Sequence, residues 1–181
     1  MLKNKEKIYS ISAIIIMLDQ MIKLLIRSKM TLTEEITIIP NFFSFYYVEN
    51  TGAAFSILTN KTLLLVLIAI ACLVLLDRYI TKLLKISKLE IISYGLVIGG
   101  IVGNLIDRLL YESVIDYLSF TIFNYNFPVF NLADIAITCG IFLLLYYYIK
   151  EELFTKKVEK TFRTKFENRI FRRRKREDVP P

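Results

Sequence analysis

The sequence contains no histidine and only two cysteines in 181 residues. The first absence removes the Ser-His-Asp and Cys-His triads, histidine-ligated zinc and the imidazole general base. Any chemistry must use other groups. Cys72 and Cys139 each sit inside an apolar run, where a thiol behaves as a small hydrophobe, so both are expected to be buried and inert. No CxxC pair or disulfide framework is present, which leaves the redox compartment open. Polarity is scarce as well: 55% of residues are hydrophobic and the mean hydropathy is +0.48. That is unusually apolar for a soluble domain of this length and points to lipid.

Four apolar runs carry that surplus, at about residues 8–26, 62–80, 91–108 and 132–149. A helix crossing a hydrocarbon core of ~30 Å needs ~20 residues. Core helices of a soluble protein would show polar faces at helical spacing, and these runs show almost none. The first run follows Lys3, Lys5 and Lys7 like a signal peptide, but Asp19 and Lys23 interrupt it and no small-x-small cleavage site follows, so it reads as a retained helix. The fold class expected is an all-α polytopic membrane protein.

Cations orient the spans. Lys3, Lys5 and Lys7 precede the first; Arg78, Lys82, Lys85 and Lys88 lie between the second and third; twelve more follow the fourth. These are alternate connections, so the positive-inside rule puts both termini in the cytoplasm. Tyr146, Tyr147 and Tyr148 fit an interfacial anchor on that side. From Lys150 onward twelve Lys and Arg face six acids, which is +6 of the total +7. The pI near 9.3 thus describes a basic tail, 150–181, expected to be cytoplasmic and poorly ordered, and not a nucleic-acid surface. Arg172-Arg173-Arg174-Lys175-Arg176 could attract anionic lipid at about 1 kcal/mol per basic residue. Residues 1–149 form the membrane domain. Its two outward connections contain strand-like stretches, Glu35–Ile38, Asn41–Val48 and Val114–Phe123, which could build a small extracytoplasmic sheet.

Charge within the spans is the informative anomaly, since an Asp or Lys at a helix centre costs about 2.5–3.5 kcal/mol on insertion scales. Asp19 and Lys23, spaced i,i+4, can pair on one face; a structural ion pair and a functional role are both open. Asn104, Asp107 and Arg108 share a face near the end of the third span. Asn131 can cap the fourth helix, and Asp134 in its first turn complements the helix dipole. Asp107, Asp116 and Asp134 nevertheless fall at about one membrane depth. Two carboxylates in close contact share a proton, one acting as base and the other as acid, a device that activates water without histidine, cysteine or metal. A hard-cation site would want more oxygen ligands, so neither a metal nor another cofactor is expected. Gly95, Gly99 and Gly103 recur every four residues as a stripe for close helix packing. Gly52-Ala53-Ala54 lets backbone approach another element or an extended peptide.

Five motifs in order resemble the bacterial lipoprotein signal peptidase (signal peptidase II) family: Asp19-Gln20-Met21-Ile22-Lys23, Asn50-Thr51-Gly52-Ala53-Ala54-Phe55, Gly99 through Arg108, Val114-Ile115-Asp116-Tyr117, and Phe127 through Asp134. The resemblance covers about Ile8 to Ile149. It implies an intramembrane aspartyl endopeptidase of the bacterial cytoplasmic membrane, active near the outer face, that cuts prolipoproteins just before a cysteine carrying diacylglycerol. The catalytic pair would be Asp116 and Asp134. Asn50, Gly52, Asn104, Arg108 and Asn131 match positions that line the site, and Asp19, Lys23 and Asp107 match positions that hold the bundle together. A monomer is expected. Two departures are Val-Ile-Asp-Tyr where Val-Val-Asp-Phe is more usual, and Glu49 where Arg is common, the second bearing on substrate contacts. The alternative class, a small ion- or proton-coupled transporter, would want polar residues along a path through the membrane, and Thr62–Leu76 and Ile135–Ile149 show no charge there.

Overall fold

The computed structural model describes residues 2–52, 61–83, 86–123 and 125–177, of which 2–3 and 156–177 are described by backbone alone. Ala53, Ala54 and Phe55, and Lys85 in the basic connection, lie outside the described residues. The described residues contain four helices, α1 (Leu2–Lys29), α2 (Thr62–Lys82), α3 (Lys88–Tyr111) and α4 (Leu132–Glu177), and four strands, β1 (Glu35–Ile39), β2 (Phe43–Asn50), β3 (Val114–Ile122) and β4 (Tyr125–Asn126), in the order α1-β1-β2-α2-α3-β3-β4-α4. Each helix contains a segment long and apolar enough to cross a membrane: Asn4–Lys29, Thr62–Lys82, Lys88–Tyr111 and Leu132–Thr155. The chain divides into two compact units, residues 1–143 and 144–181. Everything at the candidate site belongs to the first. In the second, the helix continues to Glu177, and Lys150 stands over the Tyr146 ring at 5.9 Å, a cation–π contact.

Helix α3 is the hub of the first unit. In its most apolar stretch 61% of residues are buried, against 22% in α1 and 17% in α2. It starts with a reciprocal capping box, in which Ser87 Oγ accepts the Glu90 N–H and Glu90 Oε2 accepts the Ser87 N–H. It ends at Glu112, whose left-handed φ of 59° turns the chain toward β3. The glycine stripe is where α1 comes closest. A Cβ on Gly99 would stand 2.8 Å from Ile15 Cβ and 3.0 Å from the Ser12 carbonyl, and one on Gly103 2.6 Å from Asp19 Oδ2. Gly100, on the adjacent face, leaves room for the backbone carbonyl of Ala133 at the start of α4. These contacts bring two otherwise bulky helices to the same polar level of α3.

The strands form one antiparallel arrangement in the order β1-β2-β3-β4, with β1 and β2 from the first long connection and β3 and β4 from the second. Val48 pairs with Asp116 and Glu49 with Ile115. Since side chains alternate faces along a strand, Asp116 and Asn50 share one face while Ile115 and Glu49 share the other. The second face packs down as a small core of Met30, Tyr47, Ile115 and Tyr117 with Ile22, Ile26 and Tyr111 against it.

The helices also correct one expectation. Cys72 and Cys139 are exposed on the protein surface. In a chain that crosses a bilayer, an apolar run faces lipid as readily as protein, so the run does not imply burial against other side chains. Leu63, Leu75 and Phe142 are likewise exposed, at 73%, 66% and 67%, which is an unfavourable surface in water and an ordinary one in hydrocarbon.

Candidate active site

The first turn of α4 is held from three directions. Tyr117 Oη accepts the Leu132 N–H at 3.2 Å, Asp19 Oδ1 accepts the Ala133 N–H at 3.0 Å and Asn131 Oδ1 accepts the Asp134 N–H at 3.0 Å. These are donors that a helix start leaves without partners. Asn131 returns its own N–H to Asp134 Oδ2 at 3.3 Å, so residue and cap hold each other as in a capping box. Asp134 is thereby fixed on a turn secured by α1, β3 and its own cap, with the positive end of the helix dipole beneath its carboxylate.

Asp116 comes from the middle of the sheet and is 2% exposed. Asn131 Nδ2 donates to its Oδ1 at 2.7 Å and Asn50 Nδ2 to its Oδ2 at 3.0 Å. Burial, reinforced by the Asp134 charge, pushes the Asp116 carboxyl up to about 7, against the opposing pull of the Asn50 and Asn131 donors. Asp134 has a matching pair of donors, Asn104 Nδ2 on Oδ1 at 2.7 Å and the Asn131 N–H on Oδ2. Each of the four carboxylate oxygens thus takes one protein hydrogen bond and keeps a second lone pair.

The orientation of the amides follows from neighbours that have only one polarity. Asn50 Oδ1 accepts the Gly52 backbone N–H at 2.9 Å, so its Nδ2 must face Asp116. Asn131 Oδ1 accepts the Asp134 backbone N–H, so its Nδ2 likewise faces Asp116. Asn104 Oδ1 accepts from Lys23 Nζ at 2.9 Å and from Asn131 Nδ2 at 3.0 Å, so its Nδ2 faces Asp134. All three amides act as donors to the acids. Arg108 reaches across to the Gly52 carbonyl at 3.1 Å and ties down the segment that carries Asn50.

Beside this network lies a second one. Lys23 Nζ makes ion pairs of 2.8 Å with both Asp19 and Asp107. Lys23 is 1% exposed and both acids 0%. Asp107 Oδ2 also accepts the Ile115 N–H at 3.1 Å, which fixes the start of β3 just before Asp116. The expected site residues therefore form two adjoining clusters joined through Asn104: Asn50, Asn104, Asn131, Asp116 and Asp134 in one, Asp19, Lys23 and Asp107 in the other, with Gly52 and Arg108 at the edge. Among the described residues no buried side-chain nitrogen or oxygen lacks a hydrogen-bond partner. No group of three or more Cys, Asp or Glu among them is arranged to hold a metal ion. Glu49 is directed away from Asp116, on the opposite face of the sheet, and accepts the Tyr47 hydroxyl at 2.9 Å.

Comparison with known proteins bears on what this arrangement is for. The model of a family described as signal peptidase (SPase) II matches residues 11–150. The chain is 43% identical over 145 residues to the lipoprotein signal peptidase of Halothermothrix orenii, covering 80% of this chain and 97% of that protein. The chain belongs to the signal peptidase II family. The lipoprotein signal peptidase of Clostridium tetani is 40% identical over 138 residues, 76% of this chain and 88% of the relative. A solved structure described as a bacterial membrane enzyme, determined by the in meso method at 2.3 Å resolution, superposes with a TM-score of 0.74 at 31% identity, over 78% of this chain and 87% of its own.

Within this signal peptidase II chain, three contributors escaped the reading of the sequence. Gln20 Nε2 donates to Asp107 Oδ1 at 2.8 Å and to the Gly103 carbonyl at 3.1 Å. The Ala133 N–H and the Tyr117 hydroxyl complete the α4 cap. Gln20 and Tyr117 each adjoin an acid, Asp19 and Asp116, whose charge in an apolar setting is the stronger signal. A backbone N–H carries no residue-type signal at all.

Proposed function

We infer that the chain removes signal peptides from prolipoproteins, with Asp116 and Asp134 activating the water that attacks the peptide bond. As a signal peptidase II it is an aspartic peptidase. The observation that carries the assignment of the pair is their shared cap: Asn131 contacts Asp116 through its amide and Asp134 through both its amide oxygen and its backbone.

The chemistry follows from the unequal settings of the two acids. Asp116, buried in the sheet and pushed up to about 7, is the acid assigned the shared proton. Asp134, over a helix N-terminus and taking donors from Asn104 and Asn131, is assigned the part of general base. Water between them loses a proton to Asp134 as it attacks the scissile carbonyl carbon. Asp116 gives its proton toward the carbonyl oxygen to form a gem-diol; as the C–N bond breaks, Asp134 returns a proton to the amide nitrogen and Asp116 takes one back from a diol hydroxyl, which releases the signal peptide as a carboxylic acid. The pair ends with one proton, as it began. Asn50, Gly52 and Arg108 stand at the edge of the pair, where an extended peptide would lie.

The finer substrate reading, cleavage just before a diacylglyceryl-modified cysteine, is supported by the five ordered motifs. The site at the outer face and both termini in the cytoplasm are supported by the distribution of cations. Residues 1–149 are read as the peptidase domain, acting as a monomer, and 150–181 as a cytoplasmic tail attracted to anionic lipid. Matched precursors with and without the diacylglyceryl group, presented to the purified enzyme in the same membranes, test the substrate reading. Cleavage is expected for the lipidated form alone; equal cleavage of both would overturn it.

A further inference from the structure

We propose that Lys23 is a positioning residue for the reaction, acting through Asn104 to hold the hydrogen bond that Asp134 receives. The inference rests on the reading of Asp134 as part of the catalytic pair. An ammonium group has three protons. In this chain they meet three acceptors: Asp19 Oδ2 at 2.8 Å, Asp107 Oδ2 at 2.8 Å and Asn104 Oδ1 at 2.9 Å. Two of those contacts tie the bundle together. The third leads to the site, because the other end of the Asn104 amide donates to Asp134 Oδ1 at 2.7 Å.

The alternative holder of Asn104 is Asn131, and it is overcommitted. Its two Nδ2 protons face three acceptors, Asp116 Oδ1 at 2.7 Å, Asn104 Oδ1 at 3.0 Å and the Ile115 carbonyl at 3.3 Å. The shortest goes to the acid, and the other two compete for one proton. Lys23 is the donor that Asn104 does not share. Its charge also polarises the amide and strengthens the donation at the far end. Without it the Asn104 group is free to rotate and present its oxygen to Asp134, a repulsive contact between two acceptors. A purely structural ion pair would explain the contacts to Asp19 and Asp107, but it gives no reason for the third proton to point at the residue that donates to Asp134.

The test is a double-mutant cycle with full-length enzyme and a diacylglyceryl-modified precursor: wild type, Lys23→Met, Asn104→Leu and the pair, each with kcat and KM. Lys23→Met is expected to lower kcat roughly 10- to 100-fold, the scale of a misplaced catalytic group, with KM within about twofold. In the Asn104→Leu background the same substitution should change kcat less than about threefold. Equal losses in both backgrounds would overturn the proposal. Because Lys23→Met leaves two buried acids uncompensated and can fail to fold, a neutral variant, Lys23→Met with Asp19→Asn and Asp107→Asn, is measured beside it. Low kcat in a folded neutral variant supports positioning; recovery to the wild-type kcat shows that Lys23 only neutralises its partners and contradicts it. Asp134→Asn keeps the underlying reading separate, since activity there would undo the catalytic pair whatever the cycle gives.

Discussion

Asn131 bridges the two acids of the site: its Nδ2 donates to Asp116 Oδ1 at 2.7 Å while its Oδ1 accepts the Asp134 backbone N–H at 3.0 Å. One short side chain therefore sets both the start of α4 and the spacing of the pair. Asn131→Ala should cost about 1–2 kcal/mol through the lost cap and lower kcat far more than that stability loss explains. A thermal melt in detergent beside a cleavage assay separates the two effects. Wild-type kcat in the folded variant would remove Asn131 from the account.

Proton sharing predicts a pH profile. Asp116 must be protonated to donate, so activity should decline as pH rises through about 7, where that proton is lost. The Asn50 amide favours the ionised form of Asp116, so Asn50→Ala should raise the carboxyl further and move the alkaline limb to higher pH. Profiles of kcat/KM for both proteins check the sign; a limb that moves to lower pH, or does not move, contradicts the assignment of the acid.

Close packing at Gly103 gives a prediction about stability. An added Cβ there meets Asp19 Oδ2 at 2.6 Å, and Asp19 is held by Lys23 and by the Ala133 N–H. The carboxylate cannot retreat without breaking one of them. Gly103→Ala should destabilise by roughly 1–3 kcal/mol, the range for overpacking, and should lower activity as well, because the displaced Asp19 caps α4. Unchanged melting temperature and rate would show that α1 yields at this level.

Removal of residues 156–181 tests the division between domain and tail. Every contact of the site lies within residues 1–143, so the truncated enzyme should keep its kcat while losing binding to anionic vesicles. A variant that inserts normally but cannot cleave would tie the tail to catalysis.

The fold was largely legible because each span is a long, predominantly apolar run and the strands alternate as strands do. The helix ends were not. An apolar run measures the hydrocarbon crossed, whereas backbone hydrogen bonding continues through charged residues that form helix well, so α1 begins at Leu2 and not near Ile8, and α4 runs past Lys150 to Glu177. At the site, Asn131 and Asp134 were readable as cap and first-turn acid from their spacing. Contacts remote in sequence were invisible: Asp19 capping α4 across 114 positions, and Asn104 joining Lys23 to Asp134. The directions of Glu49 and the two cysteines needed the register of the sheet and the faces of the helices.

The central claim is that Asp116 and Asp134 together activate water. Its most direct test is the rate of cleavage of a diacylglyceryl-modified precursor by purified Asp116→Asn and Asp134→Asn enzymes, each shown by thermal melt to be folded. Asn preserves the shape of the side chain and removes its capacity to exchange a proton. Both variants should fall to the uncatalysed background; full activity in either folded variant would contradict the account.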